Sequence, residues 1–154
     1  MPNTFERPGA LVTRWIGARV DLLRAVGISG ALFVVSLVIN AIAGRVIGVN
    51  LSVALPEELP RAMWLVGMLS APPIAAIGAA WYFGSGSVAR TVVTGAALGA
   101  VMVVTGIVLD CLFILPLKNG VALMGGYFRA WQYWFTLALL AGTCTAVGAW
   151  PFGI

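Results

Sequence analysis

Asp110 is the residue of this sequence best placed to do chemistry, because it is an acidic side chain inside a long apolar run. It lies before the predicted end of that run at Leu115, on the order of 7 Å from the edge at about 1.5 Å per helical residue. A carboxylate at the centre of a bilayer costs about 2.5 to 3.5 kcal/mol, and a shallower one costs less. Two interpretations follow: a satisfied carboxylate that fixes helix register, or a protonatable site coupled to movement of a proton or substrate.

Helical geometry predicts where this carboxylate points. At about 100° per residue, Asp110 shares one face of its helix with Gly95, Gly99 and Gly106. Small residues are where membrane helices approach each other closely. We therefore expect Asp110 to point towards a neighbouring helix rather than towards lipid.

Several side chains are candidate partners of Asp110 at the same end of the molecule. The indole of Trp131 is a possible donor, since it shares a stripe with Ala138 and Gly142 on the next helix. Arg45 and Lys118 are candidate counter-charges. Asn40 is expected to form a hydrogen bond between helices, as polar side chains in membrane helices often do. The other aromatic residues near the helix ends, including Tyr133 and Trp134, are predicted to anchor the chain at the membrane surfaces.

The remaining reactive side chains exclude several kinds of site. The sequence has no histidine, and its two cysteines, Cys111 and Cys144, do not form a Cys-x-x-Cys pair. Haem, zinc and most copper sites need such ligands, so we predict no metal and no cofactor. The two cysteines differ in predicted depth by roughly 10 to 15 Å. Because a disulfide needs Cα atoms within about 7 Å, we predict two free thiols.

The composition indicates the elements that position these residues. Hydrophobic residues make up 61% of the chain and charged residues 9%, against about 50% and 25% in soluble domains. A hydrocarbon core of roughly 30 Å needs about 20 apolar helical residues to cross it. Four runs qualify, at about 25–47, 62–83, 91–115 and 130–150. The predicted fold class is all-α: an integral membrane four-helix bundle forming a single domain over residues 1–154.

Basic residues predict the orientation of the chain. The Trp-bearing segment 8–24 has amphipathic helical spacing, which is typical of a helix lying in the membrane interface. A simple cytoplasmic extension of the first span is the alternative. Four arginines precede the first span and Arg45 follows it, so both termini are predicted to be cytoplasmic. The net charge of +4 comes from scattered residues, and we expect no nucleic-acid partner.

Small residues and prolines predict how the helices pack. Each span has a stripe of small residues, which favours a tight bundle or packing against other subunits. The packing positions in the third and fourth spans are Gly95, Gly99, Gly106, Ala138 and Gly142. Pro72 and Pro73 lie in the middle of the second span, where the loss of amide donors predicts a kink.

The stretch from Thr105 to Gly142 resembles a family of small bacterial four-helix membrane proteins of unknown function. The resemblance rests on Gly106-Ile107-Val108-Leu109-Asp110, on Phe128-Arg129-Ala130-Trp131 and on Leu139-Leu140-Ala141-Gly142. The chain has Leu115-Pro116 where that family has a Phe-Pro pair. The resemblance implies the fold and a bacterial cytoplasmic membrane, and it directs attention to Asp110 and Trp131. It implies no activity.

These observations favour a non-catalytic membrane protein, an accessory or scaffold subunit of a membrane complex. Its expected partners are the lipid bilayer and other membrane subunits or further copies of itself. The alternative is a small oligomeric transporter or channel that uses Asp110 as a protonatable site. An enzyme is not expected, because nucleophile and base candidates do not converge.

Overall fold

The computed structural model describes residues 21–49, 59–114 and 128–150, and the regular structure within these ranges is entirely helical. Its long helices are α1 (Leu22–Ile47), α2 (Arg61–Phe83), α3 (Val92–Leu109) and α4 (Trp131–Ala149). A π-helical segment, Asp110–Ile114, continues α3. The predicted all-α class is confirmed, and the helices lie close to the four predicted apolar runs.

Asp21 fixes the start of α1. Its carboxylate accepts a hydrogen bond from the backbone N–H of Arg24 at 3.1 Å, and its own backbone is not helical, with φ −72° and ψ 86°. Residues 22–24 therefore belong to α1, which corrects the predicted end of the amphipathic segment at residue 24. Because the cap starts the helix at Leu22, it also argues against the alternative in which the preceding segment continues the first span as one unbroken helix. The rest of that segment lies outside the described residues.

Three of the helices are long and apolar enough to cross a membrane: α1, α2, and α3 together with its π-helical segment. The fourth predicted span, α4, does not meet that standard, because it opens with the polar and amphipathic run Trp131-Gln132-Tyr133-Trp134. The helix α2 continues through Pro72 and Pro73 without ending. The predicted kink at that point stays a prediction.

Each helix packs against two others, in the cyclic order α1, α2, α4, α3. The most extensive interface joins α3 to α4, and two glycines, Gly95 and Gly148, face each other in it. A Cβ added to Gly148 would lie 2.6 Å from the Thr91 carbonyl oxygen and 2.8 Å from the Gly95 Cα. A Cβ added to Gly99 would lie 2.9 Å from the Ala141 Cα. Only glycine at these positions allows the two backbones to approach so closely.

Most of the buried side chains lie at one end of the molecule, which we call the Tyr82 end: the start of α1, the end of α2, the start of α3 and the end of α4. Its core consists of apolar residues from every helix: Ala25, Ile28, Ala75, Ala79, Tyr82, Phe83, Val88, Leu98, Met102 and Cys144. The opposite end, which contains the π-helical segment, is the Asp110 end. Fewer of the described residues are buried there.

The predicted packing stripe is therefore shorter than expected. Gly95 and Gly99 lie at the α3–α4 crossing, but a Cβ at Gly106 or Gly142 would meet no described heavy atom within 4 Å. Ala138 and Gly142 are exposed. The helix α4 instead packs through the face that carries Ala141, Cys144 and Gly148, so its rotation differs from the predicted one.

Candidate functional site

Asp110 stands where α3 changes its hydrogen-bond pattern. The α-helix ends at Leu109, and the next five residues, Asp110–Ile114, are π-helical. The backbone N–H of Asp110 still donates to the carbonyl oxygens of Gly106 and Ile107. Short π-helical insertions are rare and are found frequently at functional sites. The carboxylate therefore lies at a local irregularity of the helix rather than within a regular turn.

Tyr133 on α4 is the hydrogen-bond partner of this carboxylate. Its hydroxyl donates to Asp110 Oδ2 at 3.0 Å, and its side chain is 6% exposed. Asp110 itself is half-buried. Among the described residues, Tyr133 is the one side chain that hydrogen-bonds to Asp110, and none forms an ion pair with it. The bond links the π-helical segment that follows α3 to α4.

This contact corrects the predicted donor, Trp131. At about 100° per residue, Tyr133 lies within about 20° of Cys144 on the packed face of α4, whereas Trp131 lies about 140° away. The Trp131 side chain is 64% exposed and packs edge-on against Phe135, with ring centroids 6.1 Å apart. Two stripes of small residues run along α4, and the prediction followed the one that contains Ala138 and Gly142. The stripe that packs against the other helices contains Ala141, Cys144 and Gly148, and Tyr133 lies on it as the hydrogen-bond donor to Asp110.

The other predicted members of the polar cluster do not join Asp110. Arg45 is exposed in the last turn of α1, and within the described residues no ion pair links it to the carboxylate. Lys118 lies outside the described residues. Asn40 bonds within its own helix, where its amide donates to the Ser36 carbonyl oxygen at 2.8 Å. Its predicted bond between helices is thus replaced by a local one, because the Ser36 carbonyl is one turn away.

The Tyr133 ring packs against two further rings, and we call Phe128, Tyr133 and Trp134 the aromatic trio. The centroid of Tyr133 lies 5.5 Å from that of Phe128 and 5.7 Å from that of Trp134. Phe128 and Trp134 are 6.3 Å apart. The indole N–H of Trp134 donates to the Phe128 carbonyl oxygen at 2.7 Å, which fixes the trio. The sequence predicts that Tyr133 and Trp134 anchor the chain at the membrane surface, and it does not predict this aromatic cluster.

The Tyr82 end has a comparable arrangement with added positive charge. The backbone N–H of Asp21 donates to the Tyr82 hydroxyl at 3.0 Å, and the Tyr82 and Phe83 rings meet edge to face at 5.3 Å. Arg24 donates from Nη2 to the Trp81 carbonyl oxygen at 2.8 Å. The Arg90 guanidinium lies over the Phe83 ring, 5.7 Å from its centroid. Arg24 therefore binds a carbonyl group at the end of α2, and Arg90 packs on the last ring of that helix.

The two cysteines lie at opposite ends of the molecule. Both are free, as predicted. Cys144 is fully buried at the Tyr82 end, where its sulfur lies 3.4 Å from the Met102 sulfur. Cys111 is half-buried beside Asp110. In the part of the chain that the structure describes, no group of three His, Cys, Asp or Glu residues is placed to hold a metal ion.

Comparison of the chain with protein-family models, curated proteins and solved structures finds no match.

Proposed function

We propose that this protein is a non-catalytic subunit of a bacterial cytoplasmic membrane complex, in which its four helices form a bundle with both termini in the cytoplasm. Large apolar side chains on the outer surfaces of the helices support the membrane location. Val46 is 82% exposed, Leu69 74% and Ile77 64%. Exposed apolar surface over three span-length helices is unfavourable in water and matches a lipid environment. Arg7, Arg14, Arg19 and Arg24 precede the first span and Arg45 follows it, which favours the end that contains the start of α1 as the cytoplasmic one.

The exposed small residues on the outer face of α4 support the accessory role. Ala138, Gly142 and Ala146 form a stripe at four-residue spacing, and all three are exposed. A Cβ at Gly142 would meet no described heavy atom within 4 Å. In lipid, such stripes favour helix association, because they let two backbones approach closely. This face suits a helix of another membrane subunit or of a second copy.

Native mass spectrometry from a mild detergent tests this proposal. We expect the purified chain to carry a partner subunit or a second copy, and we expect Gly142→Leu to lose it because leucine fills the stripe. Gly27→Leu is the matched control, since Gly27 is also exposed and has no described heavy atom within 4 Å of an added Cβ. A wild-type chain that is stable as an isolated monomer would contradict the accessory role.

A small oligomeric transporter or channel is the second candidate function. It is favoured by the half-buried carboxylate of Asp110, which has a hydroxyl donor but no cationic partner among the described residues. Ionisable groups inside membrane spans are commonly part of transport pathways. Flux across proteoliposomes that disappears in Asp110→Asn, with an unchanged unfolding temperature, would favour transport over the accessory role.

A further inference from the structure

We infer that the Tyr82 end binds an anionic phospholipid, with the lipid phosphate at the Arg24 guanidinium and one acyl chain along the exposed stripe of α1 that is in line with Arg24. The inference rests on the membrane location proposed above, and it adds the class of lipid and the residue that recognises it. It depends neither on a partner subunit nor on transport.

Arg24 is held against α2 and keeps unused N–H donors. Its side chain is half-buried, and Nη2 donates to the Trp81 carbonyl oxygen at 2.8 Å, which is the one hydrogen bond of this guanidinium to a described residue. A guanidinium has five N–H donors in a planar fork that matches the oxygens of a phosphate. Because the Trp81 bond already orders the side chain, a phosphate that binds the remaining donors costs less conformational entropy.

The charge around Arg24 favours an anionic headgroup. Asp21 is the acidic residue described at this end, and its carboxylate accepts from the Arg24 backbone N–H at 3.1 Å. Within the described residues it forms no ion pair with the Arg24 guanidinium. The Arg90 guanidinium lies 5.7 Å from the centroid of Phe83, the last residue of α2, and adds a second positive charge to this end. A basic residue near a membrane surface attracts anionic lipid by about 1 kcal/mol.

An apolar stripe of α1 is in line with Arg24 and suits an acyl chain. At about 100° per residue, Ala31 and Val35 lie within about 20° of Arg24 around the helix, and both are exposed. From Arg24 to Val35 the helix rises about 16 Å, which is close to half of a hydrocarbon core of roughly 30 Å. Trp81, 59% exposed on α2, has the amphipathic ring that is typical of the headgroup level. The stripe therefore has the length of one lipid leaflet.

The arginines at the opposite ends of the same two helices differ from Arg24. Arg45, in the last turn of α1, and Arg61, the first residue of α2, are both exposed. Neither guanidinium forms a hydrogen bond with a described residue. Each would have to be ordered by the lipid itself, which costs side-chain entropy. We therefore expect the preferred lipid site at Arg24 rather than at Arg45 or Arg61.

Titration of the full chain with phosphatidylglycerol in a mild detergent, followed by native mass spectrometry, tests the inference. We expect one phosphatidylglycerol to bind at least about fivefold more tightly than zwitterionic phosphatidylcholine. Arg24→Gln should weaken phosphatidylglycerol binding about fivefold, which corresponds to about 1 kcal/mol for one basic residue. Arg45→Gln is the matched control on the same helix, since it removes an equal charge, and it should leave the affinity unchanged.

The comparison of the two lipids on the wild type decides the matter even if Arg24→Gln fails to fold. Equal affinities for the two lipids, or equal losses in Arg24→Gln and Arg45→Gln, would overturn the inference. Displacement of phosphatidylglycerol by inorganic phosphate would also overturn it, because the ligand would then be a free phosphate rather than a lipid. A chain that binds phosphatidylglycerol with this preference but carries no partner subunit or second copy would support the inference and contradict the accessory role.

Discussion

The two ends of this molecule use the same kinds of residue with different results. At the Tyr82 end, the hydroxyl of a buried tyrosine accepts from the Asp21 backbone N–H, its ring packs against Phe83, and Arg24 and Arg90 supply positive charge. At the Asp110 end, the hydroxyl of the buried Tyr133 donates to the Asp110 carboxylate, and the Tyr133 ring packs against Phe128 and Trp134. The first end is therefore held together by an extended apolar core with two arginines beside it, whereas at the second end one hydrogen bond joins the Asp110 carboxylate to α4.

The packing of α3 against α4 also differs between the Tyr82 end and the Asp110 end. At the Tyr82 end, Gly95 and Gly148 bring two backbones together, with no room for a methyl group. Towards the Asp110 end, a methyl group at Gly106 would meet no described heavy atom within 4 Å. Side chains rather than backbones therefore connect the helices there, through the Asp110–Tyr133 hydrogen bond. We expect the free energy of unfolding to depend mainly on contacts at the Tyr82 end.

The largest effect is expected from adding one methyl group at the glycine crossing. Gly148→Ala places a Cβ 2.6 Å from the Thr91 carbonyl oxygen and should lower the free energy of unfolding by about 1 to 3 kcal/mol. Gly142→Ala, on the same helix, should have no cost and gains up to about 1 kcal/mol of helix propensity. Reversible unfolding in mixed detergent and SDS micelles measures both. Equal effects of the two variants would show that the packed and outer faces of α4 do not differ in this way.

An intermediate effect is expected at the start of α3. Thr91 caps this helix: its hydroxyl accepts from the Thr94 backbone N–H at 3.1 Å, and the Thr94 hydroxyl accepts from the Thr91 N–H at 3.0 Å. Thr91→Ala should lower the free energy of unfolding by about 1 kcal/mol. Thr136→Ala is the control near the Asp110 end, because that hydroxyl only bonds back to the Gln132 carbonyl oxygen. It should change stability little in the same assay, since alanine is the better helix former.

The smallest effect is expected from the charge at the carbonyl end of α2. Arg24→Gln removes a cation that bonds to the Trp81 carbonyl oxygen and should lower the free energy of unfolding by about 0.3 to 1 kcal/mol at low salt. Arg61→Gln removes a cation from the first residue of α2, where the α2 dipole disfavours it, and should be neutral or slightly stabilising. Raising the salt concentration should reduce the difference between the two variants. A larger loss in Arg61→Gln would contradict this account of α2.

The positions of the helices could be predicted from the sequence because apolar runs and their polar boundaries are local features. The second run, 62–83, matches α2 at Arg61–Phe83 almost residue for residue. The predicted start of the first run, at about residue 25, lies after Leu22, because a charged residue such as Arg24 is expected outside a span. The structure keeps it in α1, where its guanidinium reaches the carbonyl end of α2. A pattern of residues within one segment cannot predict that contact, because it joins two segments that are distant in the sequence.

The candidate site could be predicted only in part. The direction of Asp110 followed from its position on the glycine face of α3, but its partner depended on the rotation of α4. That helix has small residues on two faces, and composition alone does not choose between Ala138 and Ala141. The choice is made by Gly148, which fits against Gly95 and turns Tyr133 towards Asp110. The aromatic trio then follows from that rotation.

The reactivity of the two native cysteines tests the difference between the ends most directly. Single-cysteine variants, made by Cys144→Ser and Cys111→Ser, are treated with N-ethylmaleimide in detergent micelles and followed by intact mass. We expect Cys111, half-buried beside Asp110, to be alkylated in the folded protein, and the fully buried Cys144 to react only on global unfolding. Alkylation of Cys144 at a rate equal to that of Cys111 under native conditions would contradict the account.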